Sequence, residues 1–215
     1  MRVRLNLPLH APHYNVLFDE QRVLHREHIY GSGPPYLDAN SEVLRMARSL
    51  PAPILDLGCG SGALVRALRA ADKETYGIEL RRPEIVASMR DDITQWITLY
   101  DGSFPLPFKD GRFASVICSE VLEHIADFQT TVGEMARIAQ NALITVLDIS
   151  AIPRLFPHQV VPWHLLEATH VNFFTQTSLE CLLAKSFTAV KFSRLGRFEV
   201  NGSMIFNQLV ARCTR

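Results

Sequence analysis

Short apolar runs alternate with amphipathic stretches along the middle of the chain. Runs of four to seven mostly aliphatic residues predict buried strands, and stretches with apolar side chains every three or four residues predict helices. The predicted strands are 54–57, 75–79, 97–100, 113–118 and 142–147, and the predicted helices between them are 63–70, 83–89 and 128–139. Strands that alternate with helices in this way are typical of a parallel sheet covered by helices on both faces.

The two ends of the chain follow a different pattern. We predict that residues 1–36 form an N-terminal extension or cap, which breaks at Gly-Ser-Gly-Pro-Pro, residues 31–35, before a helix at 38–49. Residues 149–175 contain three prolines and no clear periodicity, as expected of a lid or acceptor insertion over a site. The main domain, 37–215, is completed by a predicted helix at 176–184 and predicted strands at 189–193 and 204–210.

Composition and charge narrow the possible classes of function. The 22 Lys and Arg residues balance the 22 Asp and Glu residues, so no overall field draws the protein to nucleic acid or to an anionic membrane. No apolar stretch approaches the roughly 20 residues that span a bilayer, and no signal-peptide core follows the N-terminus. A cytoplasmic protein is expected.

The four cysteines are scattered, which argues against a disulfide framework and against a thiolate zinc site.

The most informative segment is residues 54–62, Ile-Leu-Asp-Leu-Gly-Cys-Gly-Ser-Gly. It predicts a buried strand that runs into a glycine turn, where backbone amides can approach a ligand closely because no Cβ atom blocks them. The helix predicted from Ala63 would direct its N-terminus at whatever lies on the turn. Cys59 within the turn is either a small residue that fills space or a reactive thiol, and the packing role is the simpler interpretation.

Dinucleotide-binding dehydrogenases use a similar glycine turn. Residues 58–63 fit the loose form Gly-x-Gly-x-x-Ala, and Glu79 follows at about the 20-residue distance expected of an NAD ribose carboxylate. Two further acidic residues argue against a dinucleotide-binding dehydrogenase. Asp56 lies inside the first strand, where a carboxylate needs hydrogen bonds or a cation, and Asp101 ends the third strand. The Tyr-x-x-x-Lys pair of short-chain dehydrogenases is absent from the sequence.

When the glycine turn is considered together with these acidic residues, the chain resembles the class I S-adenosylmethionine-dependent methyltransferases. The resemblance is to the small-molecule branch of methyltransferase types 11 and 23 in particular. The resemblance covers residues 54–147: the glycine motif, Gly-Ile-Glu-Leu at 77–80, Tyr-Asp-Gly at 100–102, and the fourth strand with its Leu-Glu-His end at 113–124. It implies a Rossmann-like, doubly wound α/β sheet of seven strands, mostly parallel with an antiparallel C-terminal strand. It also implies S-adenosylmethionine as the cofactor and a small molecule as the substrate.

The resemblance further implies which residues hold the cofactor. Gly58 and Gly60 would line its methionine portion, and Asp56 would hold the methionine ammonium directly or through water. Glu79 would bind the ribose hydroxyls, and Asp101 would bind the adenine amino group. The same motifs contain three further expected cofactor-binding residues: Cys59, Gly102 and Ser119.

Catalytic candidates follow the fourth strand, at the sheet edge where the methyl group should lie. If this segment is helical, Glu120, Glu123 and His124 share a face and would suit a divalent ion such as Mg²⁺ that activates a bound hydroxyl. The cluster is similar to a Glu-x-x-Glu-His element of ubiquinone-biosynthesis O-methyltransferases and of small-RNA 3′-terminal ribose 2′-O-methyltransferases, to which metal binding is attributed. In the RNA enzymes a later histidine completes the site, and His170, or else His164, is the candidate here.

Several interpretations remain open at this stage. Many small-molecule methyltransferases carry Leu-Glu-His after the fourth strand without a metal, and there the pair anchors the following helix. We expect methyl transfer to a small-molecule hydroxyl oxygen, with Glu120, His124 and His170 as catalytic residues, because a group that can take a proton is present. A 2′-O-methyltransferase acting on RNA is the alternative, which the neutral charge disfavours. A non-catalytic regulator that binds S-adenosylmethionine is another, and the sequence does not indicate the oligomeric state.

Overall fold

Residues 38–155, 169–200 and 202–215 are described by the structure, a computed structural model. The strands are β1 (Ile54–Leu57), β2 (Thr75–Leu80), β3 (Ile97–Tyr100), β4 (Phe113–Ser119), β5 (Ala139–Leu147), β6 (Ala189–Val200) and β7 (Ser203–Thr214). The α-helices are α1 (Ser41–Ala47), α2 (Ala63–Arg69), α3 (Pro83–Ser88), α4 (Phe128–Ile138), α5 (Ala151–Leu155) and α6 (Gln176–Leu183). Short 3₁₀ helices lie at Thr94–Trp96 and Leu122–His124.

The seven strands form one sheet in the order β3-β2-β1-β4-β5-β7-β6. Neighbours among the first five strands pair in parallel, whereas β7 runs antiparallel to both β5 and β6. The chain therefore winds outward from β1 in one direction through β2 and β3, and in the other through β4 and β5. The predicted doubly wound sheet, mostly parallel with an antiparallel C-terminal strand, is confirmed. In such sheets, ligands bind beyond the carboxyl ends of the strands where the winding reverses.

The central strand has apolar side chains on both faces of the sheet. Ile54 belongs to a buried cluster with Leu68 of α2 on one face, and Leu55 belongs to a second cluster with Met135 of α4 on the other. Each of these four side chains is fully buried, and burial of each stabilises the fold by about 1.5–3 kcal/mol. Because both faces of β1 are covered, its sequence is almost continuously apolar rather than alternating.

Polar side chains begin three of the helices. Asn40 Oδ1 accepts a hydrogen bond from the Glu42 backbone N–H at 3.0 Å, and Asp127 Oδ1 accepts one from Thr130 N–H at 3.1 Å. Thr175 begins α6 with a reciprocal capping box. Each cap satisfies backbone donors that have no partner within the helix, and such a cap typically contributes about 1 kcal/mol.

Most element boundaries lie within three residues of the predicted ones, and the two C-terminal strands are the largest difference. Both are 12 residues long and pair in a single register from Ala189 with Thr214 to Val200 with Ser203. Residues 194–200 of β6 and 211–214 of β7 were missed, because polar residues such as Arg194, Arg197 and Arg212 interrupt the apolar pattern there while backbone pairing continues. Helix α5 was not predicted either, and Pro153 lies in its first turn, where the missing N–H is tolerated.

Parts of the predicted organisation lie outside the described residues. These parts are the N-terminal extension 1–36 and residues 156–168 of the expected lid. In the described portion of the chain, no helix is long and apolar enough to cross a membrane.

Gly77 on β2 allows the turn after β1 to pack directly against this strand. A Cβ atom on Gly77 would lie 2.6 Å from Cys59 Sγ and 3.2 Å from Val65 Cγ2. Cys59 is itself buried, so its thiol has little freedom to move aside. The close packing of the turn and α2 on β2 therefore depends on the missing side chain.

We predict that Gly77→Ala lowers the free energy of unfolding by about 1–3 kcal/mol, as overpacking of a core does. Adding Cys59→Ala should recover part of the loss, because it removes the sulfur atom that the new methyl group meets. Gly133 in α4 is the matched control: a Cβ atom there meets nothing within 4 Å, so Gly133→Ala should raise stability by up to about 1 kcal/mol. Urea denaturation measures all three, and an unchanged stability of Gly77→Ala would contradict the close packing.

Candidate functional site

Acidic residues and glycines collect where the first five strands end, along one edge of the sheet. Glu79 lies at the end of β2, and Asp101 follows β3. The glycine turn, residues 58–62, follows β1, while Glu120 and Asp148 follow β4 and β5. Because β3, β2, β1, β4 and β5 are neighbours in that order, these groups lie in a row from Asp101 to Asp148.

The glycine turn is attached to the neighbouring strand β2 by three backbone donors. Gly58 N–H and Cys59 N–H both donate to the carbonyl oxygen of Ile78, at 2.9 and 3.2 Å. Gly60 N–H donates to Glu79 Oε2 at 2.8 Å. The turn therefore has a defined position relative to β2, and one side-chain carboxylate contributes to holding it there.

All three glycines of the turn have backbone angles that favour glycine. Gly58, Gly60 and Gly62 have φ +74°, +53° and +79°, in the left-handed region where a Cβ atom is strained. A Cβ atom on Gly58 would also lie 2.5 Å from Cγ2 of Val121, which comes from the segment after β4. Gly58 therefore lets the segments after β1 and β4 meet, and Gly60 is needed for its backbone angle alone.

Glu79 is a buried carboxylate, 8% exposed, whose two oxygens each accept a backbone N–H. Oε2 accepts from Gly60, as above, and Oε1 accepts from Leu80 at 2.6 Å. An ionised carboxylate has about four acceptor positions, so these two bonds leave capacity for further donors. The hydrogen bonds to the main chain also orient the carboxylate.

Asp56 lies on β1, one strand away from Glu79, and is 4% exposed. Burial, and after it the charge of Glu79, raises the pKa of Asp56 to about 7. The Asp56 carboxyl therefore holds its proton to a higher pH than an exposed aspartate does. Burial also raises the pKa of the Cys59 thiol, and the charges of Asp56 and Glu79 add to this effect. Thiolate is scarce at such a site, which favours the packing interpretation of Cys59.

Asp101 is in a very different environment, exposed at the end of β3. Its Oδ1 accepts hydrogen bonds from Ser103 Oγ at 2.6 Å and from Ser103 N–H at 2.9 Å. These bonds lower the pKa of Asp101. Gly102 between the two residues has φ +90° and makes the tight turn possible. Asp101 is thus a stable negative charge at the outer end of the row.

Glu120 is held by β5 in a strained backbone conformation. Its φ is +56°, which costs a non-glycine residue about 1–3 kcal/mol and is typical of functional sites. The backbone N–H of Glu120 donates to the carbonyl of Thr145 at 3.0 Å. Thr145 Oγ1 donates to Glu120 Oε1 at 3.2 Å.

Ser119 extends this arrangement into a chain of hydroxyl groups. Its Oγ lies 2.8 Å from Thr145 Oγ1. Because the single hydroxyl proton of Thr145 is donated to Glu120, Ser119 donates to Thr145. Sequence reasoning missed Thr145, although a signal existed: it is the one polar residue in the apolar run 142–147, and it is fully buried.

The segment after β4 does not form the helical turn that would align Glu120, Glu123 and His124. The 3₁₀ helix covers only Leu122–His124, and Glu120 precedes it with a left-handed backbone. The carboxyl of Glu123 is 1% exposed, and its Oε1 accepts the backbone N–H of Leu147 at 2.8 Å. His124 is exposed, so the three side chains do not share a face.

These three residues therefore do not fit a divalent metal ion. In residues 38–155, 169–200 and 202–215, no group of three or more His, Cys, Asp or Glu side chains could hold one. Glu123 instead bonds to the end of β5. This contact agrees with the alternative in which the Glu-His pair anchors the segment after β4.

His170 does lie beside His124, as the sequence suggested. Their ring centroids are 4.7 Å apart, with the ring planes inclined at 60°. His124 Nδ1 lies 3.2 Å from the carbonyl oxygen of Thr169. His164, the second choice, is outside the described part of the chain.

Backbone and side-chain hydrogen bonds attach the segment after His170 to the 3₁₀ helix. Val171 N–H and Asn172 N–H both donate to the carbonyl of Glu123, at 2.8 and 3.1 Å. Asn172 Nδ2 donates to the carbonyls of Leu122 and Ile125, at 2.8 and 2.7 Å. Asn172 was not among the predicted site residues, yet its amide connects the end of the expected lid to the segment after β4.

Comparison with known proteins places this geometry in a family. Residues 35–186 match the family described as "Methyltransferase domain". Demethylmenaquinone methyltransferase of Thermus thermophilus is 29% identical over 110 residues, covering 48% of this chain and 50% of that protein. Norajmaline N-methyltransferase of Rauvolfia serpentina is 30% identical over 105 residues, covering 46% and 36%. The chain thus spans half or less of the length of the curated relatives it matches.

Among solved structures, the magnesium protoporphyrin IX methyltransferase of Synechocystis PCC 6803, with bound SAH, has the same fold. Its TM-score is 0.57 at 16% sequence identity, covering 88% of this chain and 92% of that chain. The family match extends over most of the chain, and the sheet order and strand-end acids agree with it. The chain belongs to the class I S-adenosylmethionine-dependent methyltransferases.

Proposed function

We propose that the protein transfers a methyl group from S-adenosylmethionine to a hydroxyl oxygen of a small molecule. The observation that carries the proposal is the pair of buried carboxylates, Asp56 and Glu79, beside a glycine turn at the reversal of the sheet. The names of the similar proteins support a small acceptor, since they refer to demethylmenaquinone, norajmaline and magnesium protoporphyrin IX.

Each proposed cofactor contact is made by a side chain or backbone group at the end of a strand. Glu79 has acceptor capacity beyond its two backbone bonds, so it can accept both ribose hydroxyls. Asp101, exposed and ionised, can accept from the adenine amino group. Gly58 and Gly60 allow the methionine portion to approach the backbone, and Asp56 is the partner for its ammonium. Three residues complete the proposed wall of the pocket: Cys59, Gly102 and Ser119.

The chemistry divides between cofactor and protein. S-adenosylmethionine, when bound, supplies an electrophilic methyl group on a sulfonium. The protein must align the acceptor, which can lower the barrier by about 7–11 kcal/mol, and must take the hydroxyl proton. Glu120 is the proposed base, because its carboxylate is half-buried at the sheet edge and is oriented by Thr145. His124 and His170, with their rings in contact, are the proposed groups that bind and orient the acceptor.

The direct test is methyl transfer from tritiated S-adenosylmethionine to fractions of a cell extract. We expect tritium in a small-molecule fraction, in a product whose methyl group is attached to oxygen. Label at RNA 3′ ends would replace this proposal with the RNA alternative. Binding of S-adenosylmethionine without transfer to any fraction would instead indicate a non-catalytic regulator.

We predict that Glu79→Ala weakens S-adenosylmethionine binding by about 100-fold or more, because each hydrogen bond to a charged group contributes about 1.5–3 kcal/mol. Calorimetric titration measures the dissociation constant. Glu42→Ala, which changes an exposed acid in α1, is the matched control and should bind like the wild type. An unchanged constant for Glu79→Ala would show that the ribose is held elsewhere, and binding of NAD in place of S-adenosylmethionine would refute the cofactor assignment.

We predict that Glu120→Gln lowers kcat by about 10²–10⁴-fold, the usual contribution of a general base, while the affinity for S-adenosylmethionine is unchanged. The assay uses the acceptor found in the extract screen. Thr145→Val should lower kcat by a smaller factor and shift the pH profile of kcat, and Thr145→Ser should restore both because it keeps the hydroxyl. Wild-type kcat in Glu120→Gln would remove Glu120 from the mechanism.

A further inference from the structure

We infer that the ion pair between Glu134 and Arg137 makes the pocket selective for adenine, because it holds the loop after β3 in the position that Asp101 needs. Both residues lie on α4, which contributes no group to the proposed pocket, so they are positioning residues. The inference rests on the proposed function, since it takes Asp101 as the group that binds the adenine amino group. It goes further, because it assigns a part in cofactor selection to residues outside the proposed pocket.

Arg137 is bound both to Glu134 on its own helix and to the loop between β3 and β4. Its Nε and Nη2 donate to the Glu134 carboxylate at 2.7 and 2.6 Å. Nη1 donates to the carbonyl oxygen of Phe108 at 2.7 Å and to Asp110 Oδ1 at 2.8 Å, and Nη2 also donates to the carbonyl oxygen of Leu106 at 3.1 Å. The five N–H donors of a guanidinium are therefore matched by five acceptors, and three of these acceptors lie in the loop.

Glu134 also bonds to the loop directly. Its Oε2 accepts the backbone N–H of Leu106 at 2.6 Å, so the ion pair binds both polar groups of the Leu106 backbone. The side chains of Arg137 and Glu134 are 25% and 12% exposed, so solvent weakens their attraction less than it weakens that of a surface pair. Hydrogen bonds from Arg137 lower the pKa of Glu134, and the carboxylate is ionised at neutral pH. Charge-assisted hydrogen bonds, which are stronger than neutral ones, thus attach the loop to α4.

The turn that carries Asp101 lies between β3 and the attached part of this loop. Ser103 donates to Asp101 Oδ1 from its Oγ at 2.6 Å and from its N–H at 2.9 Å, so the carboxylate moves with Ser103. Both residues are exposed, and Leu106 is the first buried residue after Asp101. Strand β3 therefore fixes one end of the turn, and the burial and hydrogen bonds of Leu106 fix the other end.

Adenine and hypoxanthine differ at the position that Asp101 would contact. Adenine has an amino group there, which donates to a carboxylate, whereas hypoxanthine has a carbonyl oxygen, which a carboxylate repels. A hydrogen bond weakens steeply when its distance or angle is poor. Displacement of Asp101 therefore removes the preference for adenine, while the contacts to the ribose and to the methionine portion remain.

The test compares S-adenosylhomocysteine with S-inosylhomocysteine, in which an oxygen atom replaces the adenine amino group. Calorimetric titration gives the dissociation constant of each ligand, and the ratio of the two constants measures the preference for adenine. We expect the wild type to bind S-adenosylhomocysteine about tenfold more tightly, as the loss of one hydrogen bond to a charged group implies. Arg137→Lys should bring this ratio close to one, because an ammonium cannot bond to Glu134 and to the loop acceptors in the planar arrangement of a guanidinium.

A second variant and a matched control accompany Arg137→Lys. Glu134→Gln keeps the size of the side chain and removes the charge that pairs with Arg137, so it should also lower the ratio, and it decides the matter if Arg137→Lys does not fold. Arg215→Lys is the matched control. Arg215 Nη1 also donates to a backbone carbonyl of α4, that of Ala136 at 2.9 Å, but Arg215 follows β7, so this variant should keep the wild-type ratio.

The possible failures are distinguishable. A merely structural role of the ion pair would lower the fraction of folded protein and weaken both ligands by the same factor, so the ratio would not change. A wild-type ratio in Arg137→Lys and in Glu134→Gln therefore overturns this inference while the proposed function stands. Equal binding of the two ligands by the wild type would also overturn it, because Asp101 would then not distinguish the amino group. If the wild type binds neither ligand, the proposed function fails and this inference fails with it.

Discussion

The hydrogen bond from Gly60 N–H to Glu79 Oε2 is the contact on which the site depends. It joins the turn after β1 to the end of β2, and it gives a buried carboxylate one of the hydrogen-bond donors that its burial requires. After burial, the charge of Glu79 is the second cause of the raised pKa of Asp56, one strand away. The path of the backbone through the turn thus helps to fix the position of the charge that acts on Asp56.

Three glycines support this contact in different ways. Gly58 and Gly77 are needed for space, because a Cβ atom would meet Val121 in one case and Cys59 in the other, and Gly58 is needed for its positive φ as well. At Gly60 a Cβ atom would meet nothing within 4 Å, and the backbone angle alone requires glycine. Glycine is thus required at these positions for different physical reasons. At some the reason is close packing, and at others it is the backbone conformation.

The parts of the fold that the sequence predicted are those in which local pattern and burial coincide. Strand β1 was predicted with its observed ends because both of its faces are buried. The segment after β4 was mispredicted because side-chain spacing does not reveal that Glu120 has a positive φ or that Glu123 bonds to Leu147. Contacts between residues 24 apart come from the fold, and so the role of Thr145 in holding Glu120 was visible only in the structure.

Asp56 and Glu120 lie at the same edge of the sheet, but their surroundings differ. Asp56 is enclosed between strands, and burial, with the charge of Glu79 after it, raises the pKa of Asp56 to about 7. Glu120 is half-buried and receives a hydroxyl donor from Thr145. In the proposed reaction, Asp56 binds the ammonium of the cofactor and Glu120 takes the proton of the acceptor. The different environments of the two carboxyls thus divide binding from proton transfer.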